Sequence, residues 1–147
     1  MPAMPAYADS SFLIRIYAPH ADSASALAWM QRAREPLPFT PFHRLELRNG
    51  LRLRVFRREI TAEQRQQAFQ DLEADLADQI LLHTPIPWTD AFRAAEQLGA
   101  EHSERLGVRS SDLLHVGLAL TFGAKEFLTF DTRQAALAEA AGMRIKP

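Results

Sequence analysis

The chain has 147 residues, a length that fits one compact domain. It contains no cysteine, which excludes disulfides, thiolate zinc sites and cysteine nucleophiles. Its 17 basic and 18 acidic residues give a net charge of −1, so bulk charge does not point to a nucleic-acid partner. No apolar run approaches the roughly 18 residues of a membrane span, so we expect no membrane contact and a location in the cytoplasm, whose reducing conditions suit a cysteine-free chain.

The first half of the chain predicts short strands separated by helices. In order, these are a strand over 6–8, a helix from 10 or 11, a helix from 22, a strand near 39–40, and helices over about 42–58 and 62–80. The second long helix starts at a capping box, because Thr61 is followed three residues later by Gln64. The two long helices therefore form a hairpin arm over about 43–80.

The second half alternates strands and helices more regularly. It predicts a strand over 81–85, a helix over about 90–106 ended by Gly107, a helix over 113–122, a strand over 127–130, a helix over 132–141 and a strand over 143–145. Such alternation is typical of a mostly parallel sheet with helices on both faces. We therefore expect one domain over 1–147 of α/β class, a three-layer α/β/α arrangement around a sheet of four to five strands.

Four acidic residues stand where a strand ends or a helix begins. They are Asp9, Glu46, Asp112 and Asp131. Ligands of parallel sheets bind beyond the carboxyl ends of the strands. Asp9 and Asp131 directly follow predicted strands and therefore fall at that edge. Because like charges at close range repel, a cluster of carboxylates is better explained as a cage for hard divalent cations than as a stabilising device.

Each acidic residue also has a purely structural interpretation. The three aspartates can be helix caps, and Glu46 can pair with an arginine at a helix edge. Glu46, however, shares a helix face with Gly50 and Leu53, at spacings of four and seven residues, so its charge is expected to point toward the protein.

Four segments carry a resemblance to a known family. They run over 7–13 (YADSSFL), 44–48 (RLELR), and 106–115 (LGVRSSDLLH) with 127–133 (FLTFDTR). Together they resemble the PIN domain, and the last pair is similar to the VapC-type ribonuclease toxins of toxin–antitoxin pairs. The resemblance covers essentially the whole chain.

The resemblance implies an endoribonuclease that depends on Mg²⁺ or Mn²⁺. It implies Asp9, Glu46 and Asp112 as metal ligands, with Asp131 as the fourth. Ser11 and Thr129 would supply hydroxyls that orient these carboxylates. It also implies an RNA substrate, a VapB-like antitoxin that inhibits the toxin, and a homodimer.

Basic residues supply candidate contacts to RNA phosphates. Arg48 lies between Arg44 and Arg52 in an i, i+4, i+8 row, although a solvated helix face paired with Glu59 and Glu63 explains the same pattern. Arg109 and Arg133 lie nearer the acidic residues in sequence.

His115 follows Asp112 by one helical turn. It is a candidate RNA contact, with a buried histidine as the alternative.

Two other functions remain open at this point. One is a nuclease or phosphoesterase of the same fold that is not part of a toxin pair. The other is a non-catalytic PIN-like binding module, against which the intact acidic quartet argues. The sequence contains no Gly-x-Gly-x-x-Gly or Walker-type loop and no nucleophile elbow, so nucleotide binding by those loops and serine hydrolysis are not supported.

Overall fold

The computed structural model describes residues 4–147, which form seven helices and five strands. In chain order these are β1 (Ala6–Ala8), α1 (Ser10–Tyr17), α2 (Ser23–Arg32), β2 (Leu37–Phe39), α3 (Pro41–Phe56), α4 (Ala62–Ala77), β3 (Leu81–His83), α5 (Trp88–Leu106), α6 (Ser110–Thr121), β4 (Glu126–Leu128), α7 (Thr132–Ala140) and β5 (Arg144–Lys146). The predicted order of strands and helices is therefore confirmed. Among these helices none is long and apolar enough to cross a membrane.

The chain divides into two compact units. The first unit contains residues 4–9 and 85–146, and the second contains residues 10–84 together with residue 147. Each unit has its own parallel sheet, and every strand pairing in both sheets is parallel.

The first unit is built on a three-stranded sheet with the order β1-β4-β5. Ala8 of β1 lies opposite Leu128 of β4, which in turn lies opposite Lys146 of β5. The carboxyl ends of all three strands therefore meet at one edge. On the sheet, the ring of Tyr7 stacks on that of Phe127, with 5.5 Å between the centroids.

Helix α6 is the buried helix of this unit, as its apolar sequence predicts. Residues 115–119 are buried one after another. Where α6 packs against α5, a Cβ atom added to Gly117 would lie 2.9 Å from the Ala91 carbonyl oxygen and 3.0 Å from the Ala95 nitrogen. Only glycine fits there, because real Cβ atoms do not come so near to backbone atoms. The predicted helix stop is also confirmed, since Gly107 has the left-handed φ of 66°.

The second unit contains the two-stranded sheet of β2 and β3 with helices α1 to α4. The capping box of α4 is present as predicted: the Thr61 hydroxyl accepts from the Gln64 nitrogen, and the Gln64 side chain accepts from the Thr61 nitrogen. Helix α3 approaches α1 closely at Gly50, where an added Cβ would lie 3.3 Å from the Ile14 side chain.

A partly buried hydrogen bond joins α1 to α4. The Tyr17 hydroxyl donates to the Asp75 carboxylate over 2.6 Å. Burial, the hydrogen bond and charge of Asp75, and the charge of Asp71 raise the pKa of Tyr17 far above its ordinary value. This environment therefore favours the protonated phenol, which is the form that donates to Asp75.

The sheet prediction needs one correction. The α/β class and the number of five strands are confirmed, but the strands form sheets of three and two instead of one sheet of four to five. Each strand is three residues long, so each offers few backbone groups for pairing. Several helix and strand ends also differ from the prediction. For example, α4 stops at Ala77, before Gln79 takes a φ of 58°, and β4 stops at Leu128.

Candidate functional site

Asp9 and Thr129 meet at the carboxyl edge of the three-stranded sheet. Each directly follows a strand, and the Asp9 nitrogen donates to the Leu128 carbonyl, which continues the β1–β4 pairing. The Thr129 hydroxyl donates to Asp9 Oδ2 over 2.5 Å. Asp9 is only 3% exposed, so this carboxylate is held in one orientation with little water around it.

Thr129 also connects Asp9 to Asp131. Its hydroxyl oxygen accepts a hydrogen bond from the Asp131 nitrogen over 3.0 Å. Asp131 is the N-cap of α7, where its Oδ1 atom accepts from the nitrogens of Arg133 and Gln134. The capping interpretation of Asp131 is therefore confirmed, and its role as a metal ligand stays a prediction.

Asp112 lies in the first turn of α6 and is half-buried in the first unit. Its Oδ2 atom accepts a hydrogen bond from the backbone nitrogen of Arg109 over 2.9 Å, so this carboxylate also closes the start of a helix. The positive end of the helix dipole favours a negative charge there. The side chains of Arg109 and Arg133 are exposed at the starts of α6 and α7, where a phosphate can reach them.

Glu46 lies on α3 in the second unit. Its Oε1 atom accepts a hydrogen bond from the Ser10 hydroxyl over 2.7 Å. This contact agrees with the expectation that Glu46 points toward the protein. The sequence-based prediction named Ser11 and missed Ser10; the signal that was available is the pair of adjacent serines directly after Asp9.

The four candidate ligands are carboxylates, whose oxygen atoms are the donors that a hard cation binds. Carboxylate oxygens are the ligands that Mg²⁺ prefers, and Mg²⁺ needs only one or two of them directly because it keeps several water molecules. A nearly fully buried carboxylate fixed by a threonine hydroxyl is the geometry expected of an oriented ligand. In residues 4–147, however, no three His, Asp or Glu side chains are grouped closely enough to hold a metal ion. The four-residue ligand set therefore stays a prediction.

His115 is buried and belongs to the core of the first unit. It is 3% exposed, and its Nδ1 atom pairs with the Tyr7 hydroxyl over 2.7 Å. The two rings also meet edge to face, with centroids 5.8 Å apart. The buried-histidine alternative therefore describes His115. Its ring is not accessible to an RNA substrate in this structure.

Arg48 lies on the face of α3 that packs against α4. Its guanidinium lies over the ring of Phe69, 4.0 Å from the centroid, and 3.8 Å from a carboxylate oxygen of Glu73. The same oxygen accepts a hydrogen bond from Arg44 over 2.8 Å. The structural alternative, a helix face paired with acidic residues, therefore applies to these two arginines with Glu73 as the partner in place of Glu59 and Glu63.

Comparisons with known proteins give one family and several structures of similar fold. A search among curated proteins found no match. Mycobacterium tuberculosis VapC20, described as a toxin that cleaves the sarcin-ricin loop, aligns with a TM-score of 0.70 at 16% identity, over 97% of this chain and 99% of that chain. Rickettsia felis VapBC2, bound to a promoter DNA fragment, aligns with a TM-score of 0.69 at 14% identity, over 97% and 98% of the two chains.

A third structure, FitAcB from Neisseria gonorrhoeae, aligns with a TM-score of 0.62 at 15% identity, over 97% of this chain and 96% of that chain. At such low identities these likenesses establish the fold alone. The family model of the PIN domain matches residues 6–140, which is nearly the whole chain. The chain therefore belongs to the PIN domain family.

Proposed function

We propose that this protein is a metal-dependent endoribonuclease and the toxin of a toxin–antitoxin pair. The observation that carries the proposal is the Asp9 carboxylate, buried at the carboxyl edge of a parallel sheet and fixed by the Thr129 hydroxyl. Burying a charge is costly unless the charge is paired, hydrogen-bonded or bound to a metal ion. Membership of the PIN domain family supplies the reaction class.

In this proposal Asp9, Asp112, Asp131 and Glu46 hold Mg²⁺ or Mn²⁺. A bound divalent cation would supply an activated water and would stabilise negative charge at the cleaved phosphodiester. Thr129 keeps Asp9 in one orientation, and Ser10 does the same for Glu46. Arg109 and Arg133 hold substrate phosphates.

The structural neighbours support the choice of substrate and partner. VapC20 is described as a toxin that cleaves the sarcin-ricin loop, and the Rickettsia felis structure is of VapBC2. By analogy, this protein acts on RNA and has a VapB-like antitoxin as its partner. The homodimer implied by the family resemblance is part of the same proposal. The location proposed for this reaction is the cytoplasm.

A nuclease of this family outside a toxin pair is the second candidate. It shares the buried Asp9 and differs only in its partners, so a neighbouring antitoxin gene separates the two. A non-catalytic binding module is disfavoured, because it has no use for a carboxylate buried beside a strand end.

The proposal is tested by metal addition and removal. Purified protein, free of antitoxin, is incubated with a mixed cellular RNA pool in Mg²⁺, in Mn²⁺ and in EDTA, and the new RNA ends are mapped. We expect discrete cuts with either metal and none in EDTA. Asp112→Asn protein, prepared in parallel, should make none of these cuts. Cuts that persist in EDTA, or that the variant makes equally well, would contradict the proposal.

A further inference from the structure

An arginine-lined groove runs between α3 and α4 in the second unit, and the reaction proposed above makes no use of most of it. Four arginines, one aromatic ring and one acid define it. They are Arg44, Arg48, Arg52, Arg65, Phe69 and Glu73. We call this the arginine groove.

The groove is organised around the Phe69 ring. The guanidinium carbons of Arg48, Arg52 and Arg65 lie 4.0, 4.9 and 5.8 Å from its centroid. Guanidinium groups are attracted to the face of an aromatic ring, which holds them in place. Part of the entropy cost of ordering these long side chains is therefore met before any ligand arrives.

The positive charge of the groove is not balanced within it. Glu73 faces four arginines and contacts Arg44 and Arg48. Burial, together with the charges of Arg44 and Arg52, lowers the pKa of Arg48 from its ordinary value, while Glu73 acts in the opposite direction. A bound anion would relieve this repulsion.

The donors of the groove are also incompletely used. The Nε atom of Arg65 is shielded from solvent and forms no hydrogen bond with any of residues 4–147. Such a donor is normally paired, and an unpaired one calls for an explanation. Gln66 and Gln70 line the same groove and add amide groups that both donate and accept.

We propose that the arginine groove binds the phosphates of a single-stranded segment of RNA, in addition to the phosphates held at the cleavage site. This inference rests on the proposed function for its choice of RNA. Arg44, Arg48 and Arg52 follow one another every four residues, so their positions rise by about 6 Å each along the helix axis. Guanidiniums gathered along one helix face suit a polyanion, and each guanidinium can hold a phosphate through two hydrogen bonds.

An acidic protein segment fits the groove less well. Protein partners are held mainly by apolar or aromatic anchors that fill pockets. The groove offers no such pocket, because its one aromatic ring, Phe69, is buried and lies beneath guanidinium groups. The groove can therefore bind a ligand through its positive charges and its amide hydrogen bonds, which suit the phosphates and sugars of RNA.

The test measures RNA binding without cleavage. The fluorescence anisotropy of a labelled oligouridylate is titrated with protein in EDTA at a series of salt concentrations. The groove variant is Arg44→Gln/Arg52→Gln/Arg65→Gln, which leaves Arg48 over Phe69. The control is Arg93→Gln/Arg105→Gln/Arg144→Gln, which removes three exposed charges from the first unit.

We expect the groove variant to bind the RNA more weakly. The slope of the logarithm of the binding constant against the logarithm of the salt concentration should shrink by about 2, because each phosphate that the variant no longer neutralises contributes about 0.7. The control should keep the parent slope. If the triple variant fails to fold, Arg52→Gln alone should shrink the slope by about 0.7.

Equal slopes for parent and groove variant would overturn the proposal while leaving the nuclease activity intact. A labelled polyglutamate peptide that binds the parent more tightly than the RNA, and loses its binding in the groove variant, would also overturn it in favour of an acidic protein partner. If the RNA pool is not cleaved but groove-dependent RNA binding is seen, the proposed reaction fails and the groove assignment stands. A parent that binds no oligouridylate would overturn the groove assignment, whereas the cleavage assay on the RNA pool decides the proposed reaction.

Discussion

Asp9→Asn is expected to lower the rate of metal-dependent RNA cleavage by at least about 100-fold, the upper end of the loss typical for groups that merely orient a metal ligand. The amide can still accept the Thr129 hydrogen bond, so the strand edge keeps its packing. It carries no charge, however, and is a poorer ligand for a hard cation. The expected result is a folded protein with the parent melting temperature and no measurable metal-dependent cuts.

Thr129 provides the graded control for this substitution. Thr129→Val removes the hydroxyl at nearly constant volume, and we expect it to cost about 10–100-fold in activity. Thr129→Ser keeps the hydroxyl and should stay close to the parent. The measurement is the cleavage rate at saturating Mn²⁺, with circular dichroism to verify folding. Asp9→Asn protein that cleaves at the parent rate would show that Asp9 does not hold the metal.

Gly117→Ala is expected to destabilise the protein by about 1–3 kcal/mol, as overpacking of a tight helix contact does. The new Cβ would lie 2.9 Å from the Ala91 carbonyl oxygen and 3.0 Å from the Ala95 nitrogen. Both atoms belong to the backbone of α5, so only a shift of one helix against the other can relieve the clash. Urea denaturation at equilibrium measures the change in the free energy of unfolding.

Gly99→Ala is the matched control, because it adds the same methyl group to the same helix pair. Its Cβ would meet the Leu113 Cδ1 atom at 3.2 Å, the far end of a flexible side chain. Alanine is also the better helix former by about 1 kcal/mol. We therefore expect Gly99→Ala to be neutral or stabilising. Equal losses for the two variants would mean that the α5–α6 contact is not limited by backbone atoms.

Local signals in the sequence were enough for the order of the helices and strands. The Thr61–Gln64 capping box and the Gly107 stop act over a few residues, and both are found where the sequence places them. The division of the strands into two sheets was not predictable, because the alternation of strands and helices indicates parallel pairing without saying which strands pair. The early end of α4 at Ala77 is followed by Gln79, whose backbone is left-handed. Nothing in the sequence predicts that conformation for a glutamine.

The site shows the same limit. The family resemblance implied Thr129 as a hydroxyl that orients a carboxylate, and the Thr129 hydroxyl lies 2.5 Å from Asp9 Oδ2. The partners of His115 and Arg44 could not be read in advance, because Tyr7 and Glu73 lie 108 and 29 residues away in the chain. Such pairings are decided by tertiary packing.

Direct metal binding is the measurement that tests the central claim. Mn²⁺ is titrated into the metal-free parent and into Asp9→Asn, Glu46→Gln, Asp112→Asn and Asp131→Asn, and free Mn²⁺ is followed by electron paramagnetic resonance. We expect the parent to bind Mn²⁺ and every variant to bind it more weakly, with Asp9→Asn among the weakest. A well-folded parent that binds no Mn²⁺, or four variants that bind as tightly as the parent, would contradict the assignment of these carboxylates to one metal site.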